Sequence, residues 1–309
     1  MVIVAVCTYR RPDYLARLLD SFAALECSRP TSFVIVDNDG NDPRIAEMVS
    51  DFEARSGRKA VCVIEREPGI SAARNAAITQ ARSLGGELLA MLDDDEWAPS
   101  NWLEELLRER DRSSARVIGG PVRPVFSERR KALEKHARFW SVEREYLHGK
   151  PFVFCTCNFL IDMDAITFLG EQPFDPAFGI TGGGDTVFFR KLANAGVPMS
   201  WAEDAYLYEE IPDSRASLKW LRQRRYRMGN VAFRWEVETP ASGDMNPHLK
   251  TLAAIVRLPF YPLISREKSN RWLSWLLEFD KVRGRVAGLL GSRYAEYGRA
   301  GGDAGKACR

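Results

Sequence analysis

The N-terminal third of the chain alternates between short uninterrupted apolar runs and longer stretches with a helical period. Val2 to Val6 is β-branched and free of polar residues, the pattern of a strand covered on both faces of a parallel sheet. From Pro12 onward, Tyr14, Leu15, Leu18, Leu19 and Phe22 share one helical stripe. Phe33 to Val36 reads as a second buried strand that ends in Asp37-Asn38-Asp39-Gly40, followed by a helix from Pro43 to Arg55 and a strand from Val61 to Ile64. After a loop at Pro68-Gly69 comes a helix from Ser71 to Leu84, then the run Gly86 to Leu92, a fourth strand that closes on Asp93-Asp94-Asp95. This β-α alternation predicts an α/β fold with a doubly wound, mostly parallel sheet. Ligands bind beyond the carboxyl ends of such strands, so Thr8, Asp37, Asn38 and Asp93 to Asp95 are expected to be neighbours.

Past the triplet the pattern weakens. Asn101 to Arg112 reads as a helix, Arg116 to Val125 as a strand broken at Gly119-Gly120-Pro121, and Lys131 to Leu147 as an amphipathic helix able to serve as a flap or lid. Phe152 to Ile161 is expected to be a strand, Thr186 to Ala195 a short helix, and Leu218 to Phe233 a strongly basic helix. No internal repeat is visible. Disorder is expected only in the small-residue tail from Arg299 to Arg309.

Composition adds one asymmetry. The 309 residues carry a net charge of +2, but Met1 to Ser214 holds 25 Lys/Arg against 34 Asp/Glu, and Arg215 to Arg309 holds 19 against 8. A basic, aromatic-rich C-terminal part could meet anionic lipid, nucleic acid or a diphosphate; it could equally match the acidic part of the same chain. Leu252 to Ile264 is the most apolar segment, yet Arg257, Pro259 and Pro262 interrupt it, which suits lying on a membrane rather than crossing one. The six cysteines fit neither a disulfide framework nor paired zinc ligands. The N-terminus lacks the basic region and cleavage site of a signal peptide, so a cytoplasmic location is expected, with the basic part at the inner face of the membrane.

Three carboxylates at the end of a buried strand concentrate negative charge where a ligand binds. A hard divalent ion takes one or two carboxylates together with substrate phosphates and water, so the triplet suggests a metal-diphosphate site. Alone it also fits a solvated acidic turn that caps the helix beginning near Pro99. Arg74, near the start of a helix whose free N–H groups favour an anion, is placed to read a phosphate bidentately. Asp185 follows three glycines and precedes a helix, so it could cap that helix. Arg224 and Arg227 share one helix face; its default reading is a solvated basic face, and the alternative is a grip on a diphosphate or other phosphate.

Three segments together resemble family 2 glycosyltransferases of the GT-A fold. They are Val4-Ala5-Val6-Cys7-Thr8-Tyr9-Arg10-Arg11-Pro12, then Gly69-Ile70-Ser71-Ala72-Ala73-Arg74-Asn75 with the Asp triplet as a DXD motif, and Gly182-Gly183-Gly184-Asp185-Thr186. Pro212 to Asn230 is similar to the bacterial exopolysaccharide branch. The resemblance implies a GT-A domain at 1–235, with a nucleotide-sugar half at 1–98 and an acceptor half at 99–235, and a helical basic extension at 236–309. It further implies inverting, Mn²⁺- or Mg²⁺-dependent transfer from a nucleotide-sugar, with UDP-sugar the expected donor, to a saccharide or lipid-linked acceptor. Peripheral contact with an anionic membrane is expected and nucleic acid is not.

The roles the resemblance implies are Asp95 and Asp93 on the metal, Asp93 and Asp94 near the nucleotide-sugar, and Asp185 as general base. Thr8, Tyr9, Arg10, Asp37 and Asn38 correspond to nucleoside contacts, and Asn158, Gly183 and Gly184 to sugar contacts. Asn38 and Gly184 stand where many relatives carry an acid. Those departures motivate the alternative of a degenerate domain that binds nucleotide-sugar as a membrane-associated scaffold. A nucleotidyltransferase is disfavoured because Cys7 to Pro12 contains no glycine.

Overall fold

Strands β1 (Val2–Thr8), β2 (Thr31–Asp37), β3 (Ala60–Ile64) and β4 (Leu88–Asp93) pair in parallel. Register places Thr8 beside Asp37 and Cys7 beside Asp93, so the chemistry-bearing residues leave the sheet at the carboxyl ends of neighbouring interior strands. Later strands are shorter: β5 (Glu96–Trp97), β6 (Val117–Gly119), β7 (Val122–Phe126), the hairpin β8 (Glu145–Leu147) and β9 (Lys150–Phe152), then β10 (Asn158–Asp162), β11 (Met199–Trp201) and β12 (Leu207–Ile211). The central sheet has the order β11-β6-β10-β4-β1-β2-β3, with β10 antiparallel to β4 and β6. A second sheet, β5-β12-β7, starts one residue after the triplet.

The computed structural model describes residues 1–179, 182–240, 243–264 and 270–292. Helices α1 (Pro12–Ala23), α2 (Arg44–Ser56), α3 (Ile70–Ser83), α4 (Trp102–Ser113) and α5 (Gly184–Asn194) flank the central sheet. Alternate residues of β1 explain the two layers. Val2, Val4 and Val6 pack with apolar residues of α1, α2 and α4, whereas Ile3 and Ala5 pack with those of α3 and α5. Phe33 sits at the centre of the first layer, its ring 4.9 Å from Phe22 and 5.2 Å from Phe52. Removing such a ring typically costs about 3–5 kcal/mol.

By contacts the chain forms two units, one of Met1–Gly179 with Gly184–Ile211, the other of Ile180–Gly183 with Pro212–Arg309. The second contains α6 (Leu218–Glu238), α7 (Pro247–Arg257), α8 (Tyr261–Ile264) and α9 (Arg271–Leu289). Helices α6 and α9 cross at glycines: a Cβ on Gly229 would lie 1.9 Å from the Lys281 carbonyl oxygen, and one on Gly284 1.9 Å from that of Tyr226. Beside this crossing Glu236 and Arg285 pair at 2.6 Å, with Lys250 reaching Glu236 at 2.5 Å. The junction expected at residue 235 falls inside α6, because this helix continues to Glu238 and is held by α9.

Two further expectations differ. Lys131 to Leu147 is not one amphipathic helix; Glu128–Phe139 forms 3₁₀ turns, and the chain then extends into the β8–β9 hairpin. Of Phe152 to Ile161, only the part from Asn158 joins a central strand. The Thr186 hydroxyl donates to the Phe154 carbonyl oxygen, an irregular bond at the segment just before. The tail from Arg299 to Arg309 lies outside the described residues.

Candidate active site

The ends of β1, β2 and β4 lie side by side. Thr8 is buried, and its hydroxyl donates to Asp94 Oδ2 at 2.8 Å. Next to it Arg10 adopts a positive φ of 56°, and its guanidinium donates to Asp39 Oδ1 at 2.9 Å while lying 5.0 Å from the Tyr9 ring centre. Asp37 is buried and accepts the Asp39 N–H at 3.0 Å. The expected group of Thr8, Tyr9, Arg10, Asp37 and Asn38 is therefore assembled in space.

Within that group Asn38 is committed to structure. Its amide N–H groups donate to the carbonyl oxygens of Glu65 and Glu67, and its Oδ1 accepts the Gly69 N–H at 3.0 Å. The side chain thus ties β2 to the start of α3 rather than facing a base. An amide suits this task, because it must donate twice, which a carboxylate cannot do.

The triplet is electrostatically strained. Asp94 accepts from Thr8 and, at 3.0 Å, from Arg11 Nη1; the same nitrogen lies 3.2 Å from Asp95 Oδ2. Burial raises the Asp94 pKa, and Arg11 offsets only part of that rise. Burial, with repulsion from Asp95, Asp94 and Asp185, pushes Asp93 up to about 6 despite nearby Arg74. The Asp93 side chain keeps 46% of its surface open, so solvent offsets part of the desolvation. Behind it Glu96 is fully enclosed, accepts the Asp93 N–H at 2.8 Å, and is raised well above the ordinary carboxylate range by burial and by Asp93.

Helix α3 shows how its motif divides labour. Ser71 donates to the Asp175 carbonyl oxygen at 3.0 Å, and Asn75 exchanges bonds of 2.8 and 2.9 Å with the Phe174 backbone. These residues hold the 174–175 loop. Arg74, between them, keeps only 10% of its side-chain surface and lies 3.9 Å from Asp93 Oδ1. A buried guanidinium near a helix start and beside a carboxylate can hold a diphosphate.

Asp185 lies in the first turn of α5, where its Oδ1 accepts the Thr186 N–H at 2.7 Å. It is near enough to Asp93 to contribute to that residue's raised pKa. Gly184 is buried in a close approach: a Cβ there would lie 3.2 Å from the Phe178 Cβ and 3.4 Å from the Ser71 hydroxyl oxygen. Gly182 and Gly183 have φ of 76° and 88°, the left-handed region that suits glycine.

Asn158 does not present its side chain to a sugar. It is buried, accepts Trp102 Nε1 at 2.9 Å, and donates to the carbonyl oxygens of Pro121 and Ala205, so it is a structural amide. Arg224 and Arg227 lie on α6 in the second unit, Arg224 5.2 Å from the Trp220 ring centre. Arg11 stands inside the first family segment without a role assigned there, and Glu96 directly follows the triplet. Arg11 neutralises the triplet and Glu96 anchors its backbone; only their contacts reveal them.

The first 169 residues decide what this constellation is. Residues 3–169 match Glycosyl transferase family 2. The chain belongs to that family. As a family 2 glycosyltransferase it is 33% identical over 230 residues to the succinoglycan biosynthesis protein ExoM of Rhizobium meliloti (strain 1021), which covers 74% of this chain and 72% of the relative. It is 27% identical over 268 residues to a glucosyl-dolichyl phosphate glucuronosyltransferase of Haloferax volcanii, covering 82% of this chain and 83% of the relative.

Solved structures agree on the fold of this transferase, which is GT-A. A mannosyltransferase of Pyrobaculum calidifontis, in complex with GDP-Man and Mn²⁺, superposes with a TM-score of 0.60 at 15% identity, over 94% of this chain and 88% of that one. S. aureus TarS 1-349 in complex with UDP gives 0.51 at 14% identity, over 95% and 92%. The expected fold class, a mostly parallel α/β sheet with a helical C-terminal region, is the one observed.

Among the described residues no three His, Cys, Asp or Glu side chains converge as a closed metal cage. The donors do fit an open site. One or two carboxylates, with phosphate and water completing the shell, is the set a hard divalent ion accepts; Asp93 and Asp94 are raised first by burial and then by neighbouring acids, and a cation would relieve the latter.

Proposed function

We propose that this glycosyltransferase moves a sugar, with inversion, from a UDP-sugar to a hydroxyl of a polysaccharide or lipid-linked oligosaccharide precursor at the cytoplasmic face of a membrane. The observation that carries the reading is the grouping of Asp93, Asp94, Asp95, Arg74 and Asp185, in which Asp185 bears electrostatically on Asp93. The UDP complex of TarS supports the nucleotide. The names of the two sequence relatives support a saccharide or lipid-linked acceptor.

Asp95 and Asp93 would hold a divalent ion, Mn²⁺ or Mg²⁺, a choice supported by the Mn²⁺ in the mannosyltransferase complex. When bound, that ion supplies Lewis acidity to the departing diphosphate oxygens. Arg74 orients the diphosphate, and Thr8 fixes Asp94 through its hydroxyl. Tyr9 and Arg10 border the nucleoside. Asp185 takes the proton from the acceptor oxygen as that oxygen attacks the anomeric carbon opposite the leaving group. One in-line displacement inverts the centre.

Nucleotide release from a panel of UDP-, GDP- and dTDP-sugars, with lipid extract as acceptor, tests the reading. The expected result is UDP release that requires Mn²⁺ or Mg²⁺ and stops with EDTA. Release from GDP- or dTDP-sugars alone would remove the UDP assignment, and full activity in EDTA would remove the metal.

A further inference from the structure

Helix α7 presents the wrong side to water. Its inner side carries buried Thr251, whose hydroxyl donates to the Pro247 carbonyl oxygen at 2.8 Å and accepts Arg285 Nε at 3.2 Å. Just past its end, the Leu258 carbonyl oxygen accepts Trp275 Nε1 from α9 at 3.0 Å. The outer side carries Leu249, Leu252, Val256, Phe260 and Leu263, spaced by three and four residues through α7 and α8, and their exposures run from 56% to 78%. Trp272, at the start of α9, is 72% exposed.

A helix on the surface of a soluble protein normally turns its apolar stripe inward, and a contiguous exposed apolar patch marks an interaction site. Charge argues for the occupant. From Met245 to Leu263 there is no Asp or Glu, Arg257 is exposed while Lys250 is paired with Glu236, and Arg215 to Arg309 carries 19 Lys/Arg against 8 Asp/Glu. Tyr261 and Trp272 bring the amphipathic aromatic rings that settle at headgroup level. No helix among the described residues is long and apolar enough to cross a membrane.

We propose that this stripe is a membrane-docking face, on which α7 and α8 lie in the plane of an anionic bilayer. Leu249, Leu252, Val256, Phe260 and Leu263 enter the acyl boundary, and Arg257 meets lipid phosphates. The proposal deepens the lipid-linked acceptor reading and rests on it for its purpose, while its geometry uses no donor-site residue.

Flotation of the full chain tests it, with vesicles of phosphatidylcholine alone or with about one-third phosphatidylglycerol. Wild type is expected to float with the anionic vesicles and far less with the neutral ones. Leu252→Ser with Val256→Ser should weaken partition by about tenfold or more, at unchanged melting temperature and UDP affinity. Arg257→Glu should abolish the anionic preference. Partition of the double variant equal to wild type would overturn the proposal, as would equal recovery with both vesicle types regardless of salt. Sedimentation showing a lipid-free wild-type dimer that the double variant dissociates would overturn it in favour of a second copy. UDP binding, measured on the same preparations, keeps failure of the donor reading separate from failure of docking.

Discussion

Arg11 Nη1 bridges two carboxylates of the triplet, 3.0 Å from Asp94 Oδ1 and 3.2 Å from Asp95 Oδ2. One nitrogen shared between two acids makes Arg11 a built-in counter-charge for the site. Arg11→Met keeps the stem and removes the charge, and it is expected to lower stability by roughly 1–2 kcal/mol at neutral pH. Because the lost partner is electrostatic, the difference should shrink as Asp94, whose carboxyl burial raises, takes up its proton in acid. Urea titrations at neutral and acid pH measure this.

Asp93 predicts opposite pH trends for stability and for binding. Its carboxyl is raised from 3.8 to about 6 by burial and neighbouring acids, so the folded state holds this proton more tightly than the unfolded one. The contribution to stability is therefore present below 3.8 and lost as pH rises toward 6. On the proposed reading metal and UDP need the carboxylate, so their affinity should fall as pH drops through the same window. Thermal melts in EDTA should show that slope in wild type and a flatter one in Asp93→Asn; calorimetric titration of UDP with Mn²⁺ reads the other trend.

The helical unit depends on one buried ion pair. Burial raises the Glu236 pKa, but hydrogen bonds from Arg285 and Lys250 outweigh it and the net shift is downward. The stabilisation is thus present above the ordinary value of 4.5 and lost as pH falls through the lowered folded value. Glu236→Gln leaves Arg285 buried without a counter-charge and should cost about 3–5 kcal/mol. Denaturant unfolding at neutral pH, repeated in acid where the gap should close, checks both size and sign.

Gly229 offers a separate handle on the same unit. An added methyl would lie 1.9 Å from a backbone carbonyl of α9, which cannot rotate away as a side chain can. Gly229→Ala should destabilise by about 1–3 kcal/mol or more, whereas Gly57→Ala, at the C-cap of α2, meets no atom within 4 Å. Gly57 adopts a φ of 67°, so its cost comes from backbone strain alone. Comparing the melting temperatures of the two variants separates packing from strain.

How legible these features are in the sequence follows from how local their causes are. The runs Val2 to Val6 and Phe33 to Val36 read as strands because burial on both faces leaves no room for polar residues. Lys131 to Leu147 misleads because its apolar spacing fits one helix as well as the 3₁₀ turns and hairpin that form. The triplet, Arg74 and Asp185 announce themselves by motif, and the structure brings them together. The contacts of Arg11 and Asn38 stay hidden because their partners are distant in sequence, and Glu96 because only the turn at the triplet brings it back onto the Asp93 N–H. The outward stripe of α7 was visible only as an interrupted apolar segment; which side packs on α9 is a tertiary fact.

The central claim is that Asp185 removes the acceptor proton while the triplet and Arg74 hold the nucleotide-sugar. Sugar transfer from a labelled UDP-sugar to lipid-linked acceptor, with UDP·Mn²⁺ affinity recorded on the same protein, compares wild type with Asp185→Asn most directly. Transfer is predicted to fall by about 10²- to 10⁴-fold with UDP affinity unchanged. Transfer by Asp185→Asn within a few-fold of wild type would contradict the account.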